Sequence, residues 1–137
     1  MFLFLQKVVS SITQVNPELS FQNYLQIASL ASTLASPVVS TNFSSISYEF
    51  IVQAFTVYGD AISDSKAQMR AMTAMIGTLL CCRNFSNAEF GALVTKAAQF
   101  SARLLKKTDQ CKMVTTCSHL FFSGDEHVSI LSINFYL

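Results

Sequence analysis

At 137 residues the chain has room for one domain or for a few helical repeats, and only 12% of it is charged against 51% hydrophobic, about half the usual charged share of a soluble domain. A net charge of +1 argues against a dedicated nucleic-acid surface, which usually carries a strong basic excess or a clustered basic face. The longest nearly apolar run, Ala71 to Cys82, falls well short of the roughly 20 residues of a membrane-spanning helix.

A small isolated globule has much surface to cover and normally needs more charge than this. The deficit therefore points to a surface covered by neighbouring protein. Met1 to Leu5 is apolar, but no basic residue precedes it and Lys7 interrupts it, so no signal peptide is expected and the cytosol is the default compartment.

Apolar periodicity is helical nearly throughout. A partial helix is expected from Phe2 to about Gln14. Asn16-Pro17-Glu18 reads as an N-cap, a proline at the first helical position and an acid in the first turn. The helix that follows carries Phe21, Leu25, Ala28 and Leu34, and Pro37 makes Ser36 a natural stop. Ser36 to Ser45 is expected as a polar loop.

From about Ile46 the stripe Ile46, Phe50, Ile51, Ala54, Phe55, Tyr58 keeps the three-and-four spacing of one buried face, and Gly59 stands where a helix C-terminus would use it. Asp64 or Ser65 is expected to cap the next helix, with Gln68 completing a capping box from Ser65. That helix is apolar on almost every side, which predicts a sandwiched position. Ser86-Asn87-Ala88-Glu89 is a capping box of better form. It opens an amphipathic helix with Phe90, Leu93, Val94, Ala97, Leu104 and Leu105 inward, and Lys96, Gln99, Arg103 and Lys106 outward. Thr108 or Asp109 starts a last helix ending near Ser123-Gly124.

The sum is an all-α chain of about six helices joined by short loops, which favours antiparallel neighbours. Paired helices of about 40 residues per unit match the scale of HEAT-like repeats, although no sequence repeat is visible. A compact helical bundle is the alternative. The low charge favours a fragment of an α-solenoid, where each repeat buries its faces on its neighbours.

No catalytic constellation is present, so no enzyme and no cofactor is expected: the two histidines lack a nucleophile or zincin setting, and no Gly-Lys-Ser/Thr element occurs. Cys81 and Cys82 lie in the apolar run, where free cysteine acts as a small hydrophobe. Cys111, Cys117 and His119 lack the short spacing of a zinc site and diverge around a helix. No metal is expected. Asn42-Phe43-Ser44 and Asn84-Phe85-Ser86 match the glycosylation pattern but read better as turn and capping residues. Arg103, Lys106 and Lys107 suit a solvated helix C-terminus.

Two segments have a distinctive wording. One runs Tyr48-Glu49-Phe50-Ile51-Val52-Gln53-Ala54-Phe55-Thr56-Val57-Tyr58 and continues through Ile62-Ser63-Asp64-Ser65-Lys66-Ala67-Gln68. The other runs Leu104-Leu105-Lys106-Lys107-Thr108-Asp109-Gln110 and then Cys117-Ser118-His119-Leu120-Phe121-Phe122-Ser123-Gly124. Together they closely resemble the C-terminal half of vacuolar protein sorting-associated protein 35, the large α-solenoid subunit of retromer. The resemblance implies a right-handed stack of helix pairs over residues 1–125, about three pairs, with 126–137 a divergent apolar tail. It also implies a scaffold in an endosomal coat that serves retrograde transport to the Golgi, peripheral on endosomal membranes through other retromer subunits. The expected direct partner is the small subunit of metallophosphoesterase fold. A freestanding helical adaptor, a small membrane-associated helical protein and a non-functional truncated product are the competing expectations. Self-association through exposed apolar faces is expected of so short a piece.

Tyr58, Asp60, Asp64 and Lys66, taken as exposed positions at a helix junction, are the expected partner-binding residues. The chain departs from the family pattern at three places. Asp60 is a lone acid between Gly59 and Ala61, Phe122 stands where tryptophan is frequent, and His127 to Leu137 replaces further leucine-rich basic helices.

Overall fold

The computed structural model describes residues 1–34, 42–82 and 84–122. Six helices follow one another: α1 (Phe2–Thr13), α2 (Pro17–Leu34), α3 (Asn42–Ala61), α4 (Ser65–Cys81), α5 (Asn87–Ala102) and α6 (Lys107–Phe122). No strand occurs among the described residues. The expected boundary near residue 125, and the tail beyond it, lie outside them.

Side-chain contacts fix the directions. Thr13 bonds Ser20 and Ser10 bonds Tyr24, so α1 and α2 run antiparallel. The Ser47 hydroxyl donates to the Ala28 carbonyl at 2.8 Å, Tyr24 meets Phe50, and Phe21 meets Tyr58, so α2 and α3 are antiparallel too. The next helix but one runs parallel. Arg70 reaches back to Glu18, and Asn84 to the Ser32 carbonyl, each across 52 residues. Tyr48 meets Phe85 and Phe55 meets Phe100, which sets α5 parallel to α3.

Helices α2, α4 and α6 thus pack side by side in one layer, and α1, α3 and α5 form a second layer joined through aromatic rings. Each unit touches only its neighbours, as in a solenoid, and α4 is sandwiched between α2 and α6. The core is one continuous cluster with Phe21, Phe55, Met72, Met75, Leu93 and Leu120 fully buried. Each such side chain contributes roughly 1.5–3 kcal/mol by leaving water. The Glu18–Arg70 ion pair at 3.1 Å is well exposed on both sides and contributes little.

Local signals decide most helix starts. Asn16 Oδ1 accepts from the Leu19 amide at 3.0 Å ahead of Pro17, and Ser86 with Glu89 forms the complete capping box. Four expectations are corrected. Helix α3 begins at Asn42 rather than near Ile46, because Phe43 in its first turn packs on Phe2 of α1, centroids 5.9 Å apart. It continues through Gly59 to Ala61, so Gly59 is no C-cap. Leu105 is 79% exposed, because α5 stops at Ala102 and the turn carries Leu105 outward. Helix α6 begins at Lys107, one to two residues early, with Asp109 inside its first turn.

Candidate partner-binding edge

Alternation of direction puts the α1–α2, α3–α4 and α5–α6 turns on one edge of the stack. Most of the described charge collects there: Glu18, Asp60, Asp64, Lys66, Arg70, Arg103, Lys106, Lys107 and Asp109 all stand in or beside these turns. The layers behind are apolar.

The α3–α4 turn is built from its caps. Asp64 adopts an extended backbone, and its Oδ2 accepts from the Ala67 amide at 2.9 Å. Gln68 is not the partner of Ser65 that a capping box requires. Its side-chain amide instead reaches back to the Ile62 carbonyl at 2.9 Å, satisfying a main-chain acceptor in the turn. The α5–α6 turn repeats the device, since the Gln110 amide donates to the Leu104 carbonyl at 2.6 Å. Gln68 to Gln110 and Ile62 to Leu104 are the same step of 42 residues, and both Ile62 and Leu104 are buried. These matched turns disclose a structural repeat that the sequence hides, because only one glutamine and one apolar residue per unit carry it.

Of the four expected contact residues, Asp60, Asp64 and Lys66 are exposed on this edge. Tyr58 is not. It is 4% exposed, held between Phe21 and Phe100, and burial pushes its hydroxyl up to about 12. The apolar stripe of α3 accounts for it: Tyr58 continues Ile51, Ala54 and Phe55 inward. The edge also extends further than the expected residues. Arg103, Lys106 and Lys107, read from sequence as a solvated helix end, are exposed in the turn equivalent to that of Asp60 and Asp64. The α3–α4 turn is thus mixed in charge, Asp60 and Asp64 beside Lys66 and Arg70, and the α5–α6 turn is mainly basic. Lys96 lies over the Phe55 ring at 5.4 Å, a contact that no sequence spacing announces.

The cysteines show no poised chemistry. Cys82 is buried, and burial pushes its thiol up, partly offset by the hydroxyls of Ser32, Ser29 and Ser47. Cys117 is likewise pushed up by burial against a hydrogen bond with Ser101. Cys81 is exposed, not part of the core as its place in the apolar run predicts: it is the last residue of α4, and only Cys82, the extended C-cap after it, is buried. Cys111 and His119 face solvent while Cys117 faces the core, so the three diverge as expected. Among the described residues no group of three His, Cys, Asp or Glu converges as a metal site, and no helix is long and apolar enough to cross a membrane. What the edge offers is a row of charges and exposed turns for another surface to meet.

A family model described as vacuolar protein sorting-associated protein 35 matches residues 1–133. The chain is 40% identical over 125 residues to vacuolar protein sorting-associated protein 35A of Arabidopsis thaliana, covering 90% of this chain and 15% of that protein. It is 41% identical over 125 residues to protein 35B of the same plant, with the same coverage. It is 35% identical over 112 residues to vacuolar protein sorting-associated protein 35 of Schizosaccharomyces pombe, covering 80% of this chain and 13% of that protein. The chain therefore spans about 15% or less of the length of these relatives.

Proposed function

The chain belongs to the vacuolar protein sorting-associated protein 35 family, and from that premise we propose that it is a scaffold segment of a retromer-like coat. It acts in endosomal protein sorting by binding rather than by catalysis, and its direction of transport is retrograde, from endosome to Golgi. The direct partner is the small retromer subunit of metallophosphoesterase fold. Attachment to the endosomal membrane is peripheral and passes through the rest of the complex.

The observation that carries the reading is the family match across residues 1–133, joined to a two-layer helical stack whose turns share one charged edge. A stack of this kind presents side chains from successive repeats to a rigid globular partner. The exposed charges on the edge would steer and register that encounter. Asp60, Asp64 and Lys66 are the proposed contacts, with Tyr58 supporting the turn from beneath. Because the chain spans so little of its relatives, it supplies only part of the partner's seat.

Isothermal titration of the 137-residue chain with the cognate small subunit tests this. Saturable binding is expected, and the double variant Asp60→Lys, Lys66→Glu should weaken it at least tenfold while the helical circular dichroism is kept. Absence of binding by the unaltered, folded chain would remove the functional claim and leave the family assignment untouched.

A further inference from the structure

Nine threonines stand among the described residues, and eight of them donate the hydroxyl to a main-chain carbonyl three or four residues earlier. Thr108 is the exception. It is the second residue of α6 and is exposed, and the Leu104 carbonyl four residues before it accepts from the Gln110 amide. The chain leading to this hydroxyl is basic. Arg103, Lys106 and Lys107 precede it by five, two and one residues, and all three are exposed.

Protein kinases discriminate among hydroxyls partly by the charge pattern around them. Four other described hydroxyls, on Ser10, Thr73, Ser86 and Thr115, follow a basic residue by three positions, so sequence alone does not set Thr108 above them. The structure does. Ser10 meets the Tyr24 hydroxyl at 3.1 Å, and Thr73 and Thr115 donate to the Met69 and Cys111 carbonyls at 2.9 and 2.8 Å, each inside a helix. Ser86 is held by the Glu89 carboxylate at 2.7 Å as the cap of α5. Reaching any of these means opening a helix or breaking a cap. Residues 105–108 are all exposed, so the segment that a kinase must draw out buries none of its side chains, and a helix's first turn opens at low cost.

We propose that Thr108 is a phosphoacceptor for a protein kinase that selects basic sequences. Its Oγ1 forms a bond to the γ-phosphorus of ATP, the bond from that phosphorus to ADP breaks, and the hydroxyl proton passes to the kinase's base. The product carries a charge of about −1.5 to −2 at neutral pH. It stands beside Arg103, Lys106 and Lys107, with Asp109 as the neighbouring like charge. Three bases and one acid leave this turn at about +2 before modification, and the phosphate brings it close to zero. A negative group in the first turn of α6 also suits the positive end of the helix dipole, so the helix survives the change. The modification therefore cancels the basic character of one turn without unfolding it. Its consequence for docking rests on the edge reading given above; the acceptor assignment does not.

Incubating the folded 137-residue chain with ATP and the catalytic domain of protein kinase C, a kinase selective for basic sequences, tests the assignment by mass spectrometry of the phosphorylated peptides. Incorporation should approach one phosphate per chain, on Thr108. Thr108→Val should abolish it, and the double variant Lys106→Ala, Lys107→Ala should lower its initial rate at least tenfold. No phosphate on the folded chain would overturn the proposal. So would phosphate on Ser10, Thr73, Ser86 or Thr115 in place of Thr108, undiminished incorporation by Thr108→Val, or a rate indifferent to the loss of both lysines. All the substituted positions are exposed, and circular dichroism confirms that the helices persist in each variant. The readout needs no partner protein, so its failure is distinct from a failure of the retromer reading.

Discussion

The rings of Tyr58 and Phe100 meet at 76° with their centroids 5.0 Å apart, and Phe55 stacks on the same Phe100 ring at 5.8 Å. These contacts are the principal link between α3 and α5, helices that share a layer without being consecutive. Phe100 is itself only half-buried, so its removal costs less than the roughly 3–5 kcal/mol of a fully buried Phe→Ala change. Phe100→Ala is expected to lower stability by about 2–3 kcal/mol in urea unfolding monitored at 222 nm. A change below about 0.5 kcal/mol would show that the layer is held by other means.

Burial alone raises Tyr58 to about 12 from its ordinary value of 10. The folded state therefore keeps the phenol proton to higher pH than the unfolded state does. The tyrosine's contribution is intact below about pH 10 and is lost as pH rises from about 10 to about 12. Two pH units correspond to roughly 2–3 kcal/mol. Tyr58→Phe should leave neutral-pH stability nearly unchanged and flatten the alkaline limb of the stability curve. Absorbance at 295 nm should show a late-titrating component from Tyr58, and that component should vanish in Tyr58→Phe.

What could be read from sequence was local or periodic. Asn16 before Pro17, and Ser86 three residues before Glu89, carry their caps within one turn of chain, and the structure forms both. The inward stripe of α3 was equally plain, because Ile51, Ala54 and Phe55 repeat at helical spacing. The misreadings concern ends and edges, where a distant neighbour decides. Leu105 continues the α5 pattern but falls past the helix's last turn. Tyr58 stands beside a junction in sequence, but Phe100, from another repeat, covers it. The start of α3 depended on Phe2, which meets Phe43 from the far end of a different hairpin. Asp60, Asp64 and Lys66 were visible as turn residues, but the basic turn beside them belongs to the same edge only because the two layers alternate.

Asp64 has a structural duty that any test of its contact role must separate. Its carboxylate caps α4 through the Ala67 amide, and asparagine caps about as well as aspartate whereas alanine does not. Asp64→Ala should cost about 1 kcal/mol in thermal or urea unfolding, and Asp64→Asn only a few tenths. A binding defect in Asp64→Asn with stability preserved would then report on the charge itself. Equal destabilisation by both variants would contradict the capping assignment.

The glutamine pair gives a test of the hidden repeat. If Gln68 and Gln110 serve the same purpose in successive turns, each removal strands a turn carbonyl that its amide satisfied. Gln68→Ala and Gln110→Ala should each cost about 1 kcal/mol. Their effects should add within about 0.5 kcal/mol, since the two turns share no partner. Strong non-additivity would mean that the turns are coupled through α4, and the independence of the units would fail.

Gly77 and Gly59, both inside helices, leave different margins for an added side chain. Gly77 lies in the interior of α4, and a Cβ there meets nothing within 4 Å. Gly77→Ala therefore gains helix propensity, about 0.8–1 kcal/mol, with no packing cost. Gly59 sits in the last turn of α3, where a Cβ would stand 3.5 Å from the tip of the Phe100 ring, an ordinary contact distance but one that leaves no slack. The gain near a helix end is smaller, so Gly59→Ala should stabilise by at most about 0.5 kcal/mol. Gly59→Val places two further carbons on the Phe100 side and should destabilise, by about 1–3 kcal/mol for an overpacked site. Thermal unfolding of the three variants orders them Gly77→Ala, Gly59→Ala, Gly59→Val from most to least stable. A Gly59→Val protein as stable as Gly59→Ala would mean that Phe100 can move aside, and the rigidity assigned to the α3–α5 contact would be wrong.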